Sequence, residues 1–464
     1  MVGWSLALFA IARSDYLEFR FARYDLGNMV QAVWSTAHGR PLDITDGTGE
    51  QMIRLGSHVD PMLALLAPLW LLAPSPLTLA AVQVVACALG ALPVFWLGRR
   101  HLETERTAGL LALAYLAYPW LAWTALDSMH PVTFAIPLFL YAIWFLDVGR
   151  VGPFLVCAIL VLSTGELIGI SLVGLGLWYW LARGHRRLGL TIAVAGLSWT
   201  LVCLKVIVPA FRGEASPFYE RFESVGGSPE GIVRTLFVDP GAIVSALFTG
   251  ADVAYLVFLA APLAGVFLLS PALAAVAVPQ LLVNGLSDWS ATTDPRHHYV
   301  AVVIPFLFGS AVLGLARLSP AGRIRGVVVI LVLSSIFTVV VGPWPGAPLA
   351  NSGRFHPTLT SAHVEALRAA VALVPDGVPV TATNGAGSQL SARRYFYSVP
   401  IVPPRTEWIL LDTWNAWMPP SESRTEGVHP ELLRPFLERI QASPRWKQVF
   451  EVDGVFVFER VLQG

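Results

Sequence analysis

The chain has 464 residues, of which 55% are hydrophobic and only 13% charged, with a mean hydropathy of +0.62 and no formal net charge at pH 7. Soluble globular proteins carry about 25% charged residues, so this composition over this length specifies a polytopic membrane protein and excludes an ordinary soluble enzyme. Neutral net charge gives no electrostatic case for nucleic acid. The three cysteines, Cys87, Cys157 and Cys203, sit singly in apolar runs without CxxC spacing and imply neither a disulfide framework nor a zinc site.

Residues 2–12 are apolar but shorter than the roughly 20 residues of a span, and they lack the basic start and small-residue cleavage site of a signal peptide. A polar stretch, 13–60, follows as the first large loop. Residues 61–73 are apolar but short, as in a re-entrant or interfacial helix, and lead into a full span at 77–98 that ends at Arg99, Arg100 and His101. Spans at 108–124 and 132–146 flank a polar turn, Asp127-Ser128-Met129-His130-Pro131. Residues 153–182 would make a single helix of about 45 Å, too long for one crossing and too short for two. The break Ser163-Thr164-Gly165-Glu166 divides them into two short helices. Further spans are predicted at 190–210, 253–269, 272–285, 300–315 and 326–341.

This division puts Arg183, Arg186 and Arg187 on the same side as Arg99, Arg100 and Arg106, with Arg317, Arg323 and Arg325 beside them. The positive-inside rule favours that parity. It gives about eleven spans, with the loops 13–60, 125–131, 211–251 and 286–298 and the C-terminal tail outside.

The tail differs in kind. Gly342-Pro343-Trp344-Pro345-Gly346 reads as a linker. Helical patterns at 361–373 and 430–441 alternate with strand patterns at 378–383 and 408–412 and a terminal β pair at 449–461, as in a small α/β domain. About 120 residues suffice for a separate core, and no GxGxxG or P-loop is present. The expected organisation is therefore a mainly α membrane domain, 1–342, followed by an extracytoplasmic α/β domain, 343–464.

Ionisable residues at a membrane boundary are costly, roughly 2.5–3.5 kcal/mol for an Asp at the midplane, so those grouped on the outer side become the candidates. Asp25 opens an apparent helix and either caps it or takes a proton from an attacking hydroxyl. His58 and Asp60 precede Pro61; Asp60 either caps the next helix or joins His58 and Asp25 around a divalent metal or a diphosphate. Arg296, His297 and His298 form the densest cationic group outside and read as a phosphate-binding turn or simply a solvated one. Glu166, at the helix break, bonds nearby backbone or serves as an acid or base of raised pKa. Asp127 with His130 reads chiefly as a turn, and Asp412 as structural.

These pieces together resemble an uncharacterised family of bacterial and archaeal polytopic membrane proteins. The matching residues are Tyr24-Asp25-Leu26-Gly27 with Gln31 and Trp34, Gly56-Ser57-His58 with Asp60-Pro61, His130-Pro131, Gly165-Glu166, and Arg296-His297-His298-Tyr299 followed by Pro305. Asn384 to Arg394 and Leu410-Leu411-Asp412 belong to the same resemblance. More distantly the plan is similar to the GT-C glycosyltransferases, which carry an acidic residue in the first large outer loop. That resemblance implies a polyprenyl-phosphate-linked sugar as donor, membrane lipid as surroundings, and Asp25 as the first-loop acid. A single Asp stands there rather than a paired-acid motif, so a divalent metal is possible but not required by the pattern.

Three functions compete on sequence. A glycosyltransferase would use Asp25 and Glu166 as catalytic groups, with His58, Asp60, His130, Arg296, His297 and His298 binding substrate. A transporter or flippase draws on the broken helix at Glu166, since interrupted helices line midplane sites. A non-catalytic assembly protein would use the tail to bind a partner.

Overall fold

The computed structural model describes residues 1–349, 359–415, 417–418 and 427–461. Helices make up most of the first 341 residues. Three are long and apolar enough to cross a membrane: Pro76–Leu102, Arg186–Arg212 and Pro320–Val341. Two further pairs meet the criterion together but bend by 48° and 51° at their junctions, Glu105–Leu116 with Pro119–Leu126 and Pro240–Leu247 with Gly250–Leu263. Pro119 accounts for the first bend, because it lacks an N–H and drives the preceding Tyr118 out of the helical region. Shorter apolar helices occupy Pro61–Leu72, Pro131–Asp147, Val151–Leu162, Ile168–Leu181, Pro271–Gly285 and Ile304–Ala316.

The segment 153–182 divides at Ser163, as its polar break predicts. Its second half packs against Arg186–Val202 through two glycine pairs. A Cβ on Gly169 would strike the Gly196 carbonyl, and one on Gly176 the Gly189 carbonyl. Small residues seven apart on each helix thus let two backbones touch, where dispersion rather than the hydrophobic effect holds helices together in lipid.

The basic clusters meet at one end of the bundle. Asp147 is buried and accepts from Arg100 Nε and His101 Nε2, each at 2.9 Å, and from Arg183. Glu103 takes Arg323 at 2.8 Å. His130 precedes, and Asp147 ends, the helical unit Pro131–Asp147, so roughly 25 Å of helix at 1.5 Å per residue separates the two polar ends.

Two predicted loops hold more structure than expected. The first helix, Val2–Leu17, runs past its apolar start and includes Asp15, which is buried and lies 3.7 Å from Arg20. The stretch 211–251 contains a 3-10 segment, Pro217–Val225, and helices Pro229–Val238 and Pro240–Leu247. Each begins with a side-chain cap followed by proline, at Ser216, Ser228 and Asp239, which is a strong start signal.

Two short strands, β1 (Asp43–Thr45) and β2 (Gln51–Ile53), form a hairpin in the first polar stretch. The tail builds a five-stranded sheet from β3 (Val380–Ala382), β4 (Phe396–Ser398), β5 (Trp408–Asp412), β6 (Trp446–Val452) and β7 (Val455–Arg460). Its order is β4-β3-β5-β7-β6, with β4, β3 and β5 parallel and the rest antiparallel. Side chains alternate across it. Leu410, Val455 and Val457 pack with helix Ser361–Leu373, while Ile409, Leu411, Phe456 and Phe458 pack with Leu433, Phe436 and Ile440.

Arg23 and Gln31 are among the residues that fasten the tail to the membrane part. Arg23 is fully buried, and its guanidinium donates to Ser398 Oγ at 2.6 Å, Phe396 O at 3.0 Å and Thr45 O at 2.6 Å. Its amide reaches Asn384 Oδ1 at 3.1 Å. Gln31 donates to the carbonyls of Arg393 and Arg394 at 3.1 and 3.0 Å. Gly387 lies so close to Arg23 that no Cβ fits there.

Candidate functional site

Asp25 lies in a single π-helical turn, Arg23–Gly27, that runs straight into helix Asn28–Ala37. It does not cap that helix, whose first turn has no side-chain cap. With Arg23 locked under the tail, the turn carries the half-exposed Asp25 carboxylate toward the loop at 127–130. Its Oδ1 stands 3.9 Å from His130 Nε2.

His130 is positioned by Gln83, a buried residue of the span Pro76–Leu102. Gln83 Oε1 accepts from the His130 amide at 2.8 Å and from Thr133 Oγ1 at 3.0 Å. Its Nε2 donates to the carbonyls of Thr124 and Ala125 at 3.3 and 3.1 Å and to that of Ser128. A single amide thus satisfies most of a turn that would otherwise carry unpaired backbone at the end of a broken helix. The His130 ring stacks on His298, with centroids 3.6 Å apart and 16° between planes.

Asp127 joins these segments. Its Oδ2 accepts from the His298 amide at 2.7 Å and faces His298 Nδ1 at 2.9 Å, and its Oδ1 faces His297 Nδ1 at 3.4 Å. Its backbone carbonyl pairs with His130 Nδ1 at 2.9 Å. Carboxylates and carbonyls only accept, so Nδ1 of both His130 and His298 carries the hydrogen and Nε2 is left with its lone pair.

These contacts set the charges. Burial alone would raise the Asp127 carboxyl, but the hydrogen bonds and charge of His297 and His298 hold it well below the usual range. Burial, together with the charge of His298, pushes His130 down to about 3. His298 is lowered chiefly by burial. For His297 burial is outweighed by its bond to Asp127, and its pKa is raised. Two neutral imidazoles and an ionised carboxylate therefore stand together at neutral pH.

A second group adjoins the first. His58 Nδ1 lies 3.3 Å from Glu166 Oε1, and Glu166 Oε2 accepts from the Val59 amide at 3.1 Å. Burial would raise Glu166, but these bonds keep it below its ordinary value. Phe218 stacks on His58 at 4.3 Å. Arg221 lies over Phe218 and, at 3.8 Å, over Trp289, and its guanidinium reaches the Tyr299 hydroxyl at 3.5 Å, beside His298. The fold thus brings Asp25, His130, His297 and His298 into one cluster around Asp127, and joins His58 and Glu166 to it through Phe218, Arg221 and Tyr299.

Two candidates are engaged otherwise. Asp60 is buried and bound by Arg54 at 2.7–3.0 Å, and Arg296 turns back onto Asp294 within its own loop. Sequence reasoning grouped Asp127 with the outer polar residues but read it chiefly as a turn, and it missed Gln83 and Arg221 altogether. An Asp-x-x-His spacing ahead of a proline was the available signal for the first. Gln83 carries no local pattern because its partners lie more than 40 residues away, and Arg221 reaches Trp289 and Tyr299 across 68 and 78 residues.

The helical membrane part, its large first loop and the α/β tail make up a polytopic membrane protein with a GT-C type of fold. The chain belongs to the family described as predicted membrane protein DUF2079, whose model matches residues 16–457. Among solved structures it is similar to ArnT from Cupriavidus metallidurans bound to undecaprenyl phosphate, with a TM-score of 0.53 and 14% identity over 99% of this chain and 98% of that one. The apo state of the same protein gives a TM-score of 0.52 at the same identity and coverage. A search of curated proteins returns no match.

Proposed function

We propose that this protein is a glycosyltransferase that moves a sugar from a polyprenyl-phosphate-linked donor to an acceptor hydroxyl at the outer face of the cell membrane, with the tail domain extracytoplasmic. The observation that carries the reading is the meeting of Asp25, His130 and His298, from three separate polar segments, in a fold shared with a protein whose structure holds undecaprenyl phosphate.

In this reaction the acceptor oxygen attacks the anomeric carbon, the bond from that carbon to the donor phosphate breaks, and the polyprenyl phosphate leaves. Asp25, the exposed acid of the cluster, takes the hydroxyl proton as the new bond forms. Arg221 and His297 supply positive charge for the leaving phosphate, with His298 holding the turn in place through Asp127. Glu166 keeps His58 and the loop before Pro61 against Phe218 and so holds the floor of the site. The Arg54–Asp60 pair fixes the same loop from behind.

The test uses purified full-length protein in lipid vesicles with radiolabelled polyprenyl-phosphate sugars. Wild type is expected to consume the donor and form a glycosidic product, and Asp25→Asn to lose that turnover. Equal turnover by both removes Asp25 from the chemistry. Movement of label across the vesicle without a glycosidic product replaces transfer with transport.

A further inference from the structure

We infer that the tail domain carries a saccharide-binding cleft at the carboxyl ends of β3 and β5, and that it presents an uncharged sugar to Asp25 as the acceptor. The binding stands by itself; the acceptor role rests on the glycosyltransferase reading.

The topology sets the place. β3 is followed in the chain by β4 on one side of it, while β5 lies on its other side and is followed by β6 and β7 beyond. The connections from β3 and β5 therefore leave in opposite directions, and a crevice opens past their carboxyl ends, where α/β sheets bind ligands. The cleft lies there. It encloses about 350 Å³ counted out to its open mouth, and is lined by Gly385 from the loop after β3 and by Asp412, Trp414 and Asn415 at the end of β5.

Both loops are shaped for it. Asp412 Oδ1 accepts from the Trp414 amide at 2.8 Å and faces Nε2 of the buried His363 at 3.1 Å. His363 Nδ1 is held by the Asp453 carbonyl at 2.9 Å. The Trp414 ring stacks on His363 at 4.0 Å and 12°, yet the residue stays 45% exposed. One indole face is thus braced by a fixed imidazole, and the other is left for a ligand. Asn415 passes so close to Gly385 that a Cβ there would stand 2.5 Å from Asn415 Nδ2.

The first helix supplies the rim. Phe19, at φ +56°, ends that helix and joins the tail core that holds Val364, Leu367 and Leu410. A non-glycine residue keeps such a left-handed conformation only where its surroundings hold it. Glu18 and Arg20 on either side thereby reach the cleft. Arg20 is five residues from Asp25, so their backbones lie at most about 18 Å apart. Asn384, next to Gly385, accepts from the Arg23 and Tyr24 amides at 3.1 and 3.4 Å. One joint therefore fixes the cleft and the Asp25 turn together.

Donor chemistry selects the ligand. An indole face covers the C–H face of a sugar ring, while a carboxamide, a carboxylate and a guanidinium at its edge pair with hydroxyls that both donate and accept. An anion is disfavoured, because Arg20 is already engaged by Glu18 at 2.6 Å and Asp15 at 3.7 Å and the Asp412 carboxylate repels it. A cation would meet Arg20.

Binding is measured on full-length protein in phosphatidylcholine nanodiscs, free of sugar-headed detergent. Methyl glycosides of glucose, galactose, mannose and N-acetylglucosamine are titrated and followed by saturation-transfer NMR. At least one is expected to bind with a Kd on the order of 1 mM, with the strongest transfer to protons on one face of its ring. Methyl glucuronide is expected to bind at least about tenfold more weakly. Trp414→Ala and Gly385→Ala are each expected to weaken binding at least about tenfold, Trp414→Tyr to retain most of it, and the exposed Arg434→Ala to leave it unchanged. No glycoside bound below about 10 mM, glucuronide bound as tightly as the uncharged sugars, or undiminished binding by folded Trp414→Ala and Gly385→Ala overturns the inference. With labelled donor and the bound glycoside as acceptor, Trp414→Ala is expected to raise the acceptor KM and leave kcat. An unchanged KM removes the acceptor role. Sugar binding with no transfer by wild type leaves the cleft standing and removes the glycosyltransferase reading.

Discussion

Asp25 Oδ1 lies 3.9 Å from His130 Nε2, and His130 Nδ1 donates to the Asp127 carbonyl at 2.9 Å. The imidazole therefore shows Asp25 a lone pair rather than a proton, and the Asp25 carboxylate is not quenched by a cationic histidine. That is the condition a carboxylate needs to act as a base. Asp25→Asn keeps the shape and removes the proton acceptor, so kcat is expected to fall about 10²–10⁴-fold with little change in KM. His130→Gln is expected to lower kcat less, because His130 acts through its neighbours in the proposed transfer step. A fall in KM-dependent terms alone for Asp25→Asn would assign that residue to binding.

Neighbouring histidines are expected to give opposite pH responses. His297 faces Asp127, Asp294 and Arg296, and its pKa is raised in the folded protein. Its contribution is then complete below the unfolded value of about 6.5 and is lost as pH rises through the folded pKa. His130 faces Asp127, His298 and Arg54 and is lowered to about 3. The folded state refuses its proton, so its presence costs stability increasingly as pH falls from about 6.5 toward the folded value. Thermal unfolding from pH 5 to 8 checks both. Relative to wild type, His297→Gln should lose most at the acid end, and His130→Gln should recover stability there. Parallel curves for the three proteins would show that neither ring titrates differently on folding.

The helices and the tail's α/β order are legible in the sequence because hydropathy and its period are local properties. Ile409 and Leu411 alternate with Leu410 as a two-sided strand must, and Ser163 to Glu166 mark a break that the fold keeps. The cap-and-proline starts at Ser216, Ser228 and Asp239 were equally local signals for helices in a stretch that polarity alone classes as loop. The site was legible only as residue types. Asp127 gathers the histidines while Arg54 claims Asp60, and neither set of pairings is marked by a local sequence pattern. Gln83 and Arg23 act across 40 to 375 residues of chain, and no pattern along a single sequence records such distances.

Arg23 is expected to govern whether the tail stays docked. Its replacement by Met leaves the Thr45 and Phe396 carbonyls and the Ser398 hydroxyl facing an apolar chain. An unsatisfied buried polar group costs about 1–3 kcal/mol, so a loss of at least about 3 kcal/mol is expected. Arg23→Lys should fall between, since a single ammonium cannot span a fork of three acceptors. Thermal unfolding and the rate of limited proteolysis between the two parts measure this. Wild-type stability and protection in Arg23→Met would mean that docking rests on Gln31 and the surrounding apolar contacts instead.

The Arg54–Asp60 pair offers a test of whether Asp60 supports the loop while Asp25, as proposed, serves the chemistry. Both side chains are nearly fully buried and joined by three hydrogen bonds of 2.7–3.0 Å. Removing one partner strands a buried charge, and Asp60→Asn or Arg54→Met is expected to cost about 3–5 kcal/mol. Replacing both with apolar residues of similar volume removes the stranded charge, so Arg54→Met with Asp60→Leu should restore most of that loss. A double-mutant cycle on stability therefore shows strong coupling, and the rescued double variant should regain donor turnover per folded molecule. Should the double variant be stable yet inactive, Asp60 would belong with Asp25 in the chemistry and not behind the loop that supports it.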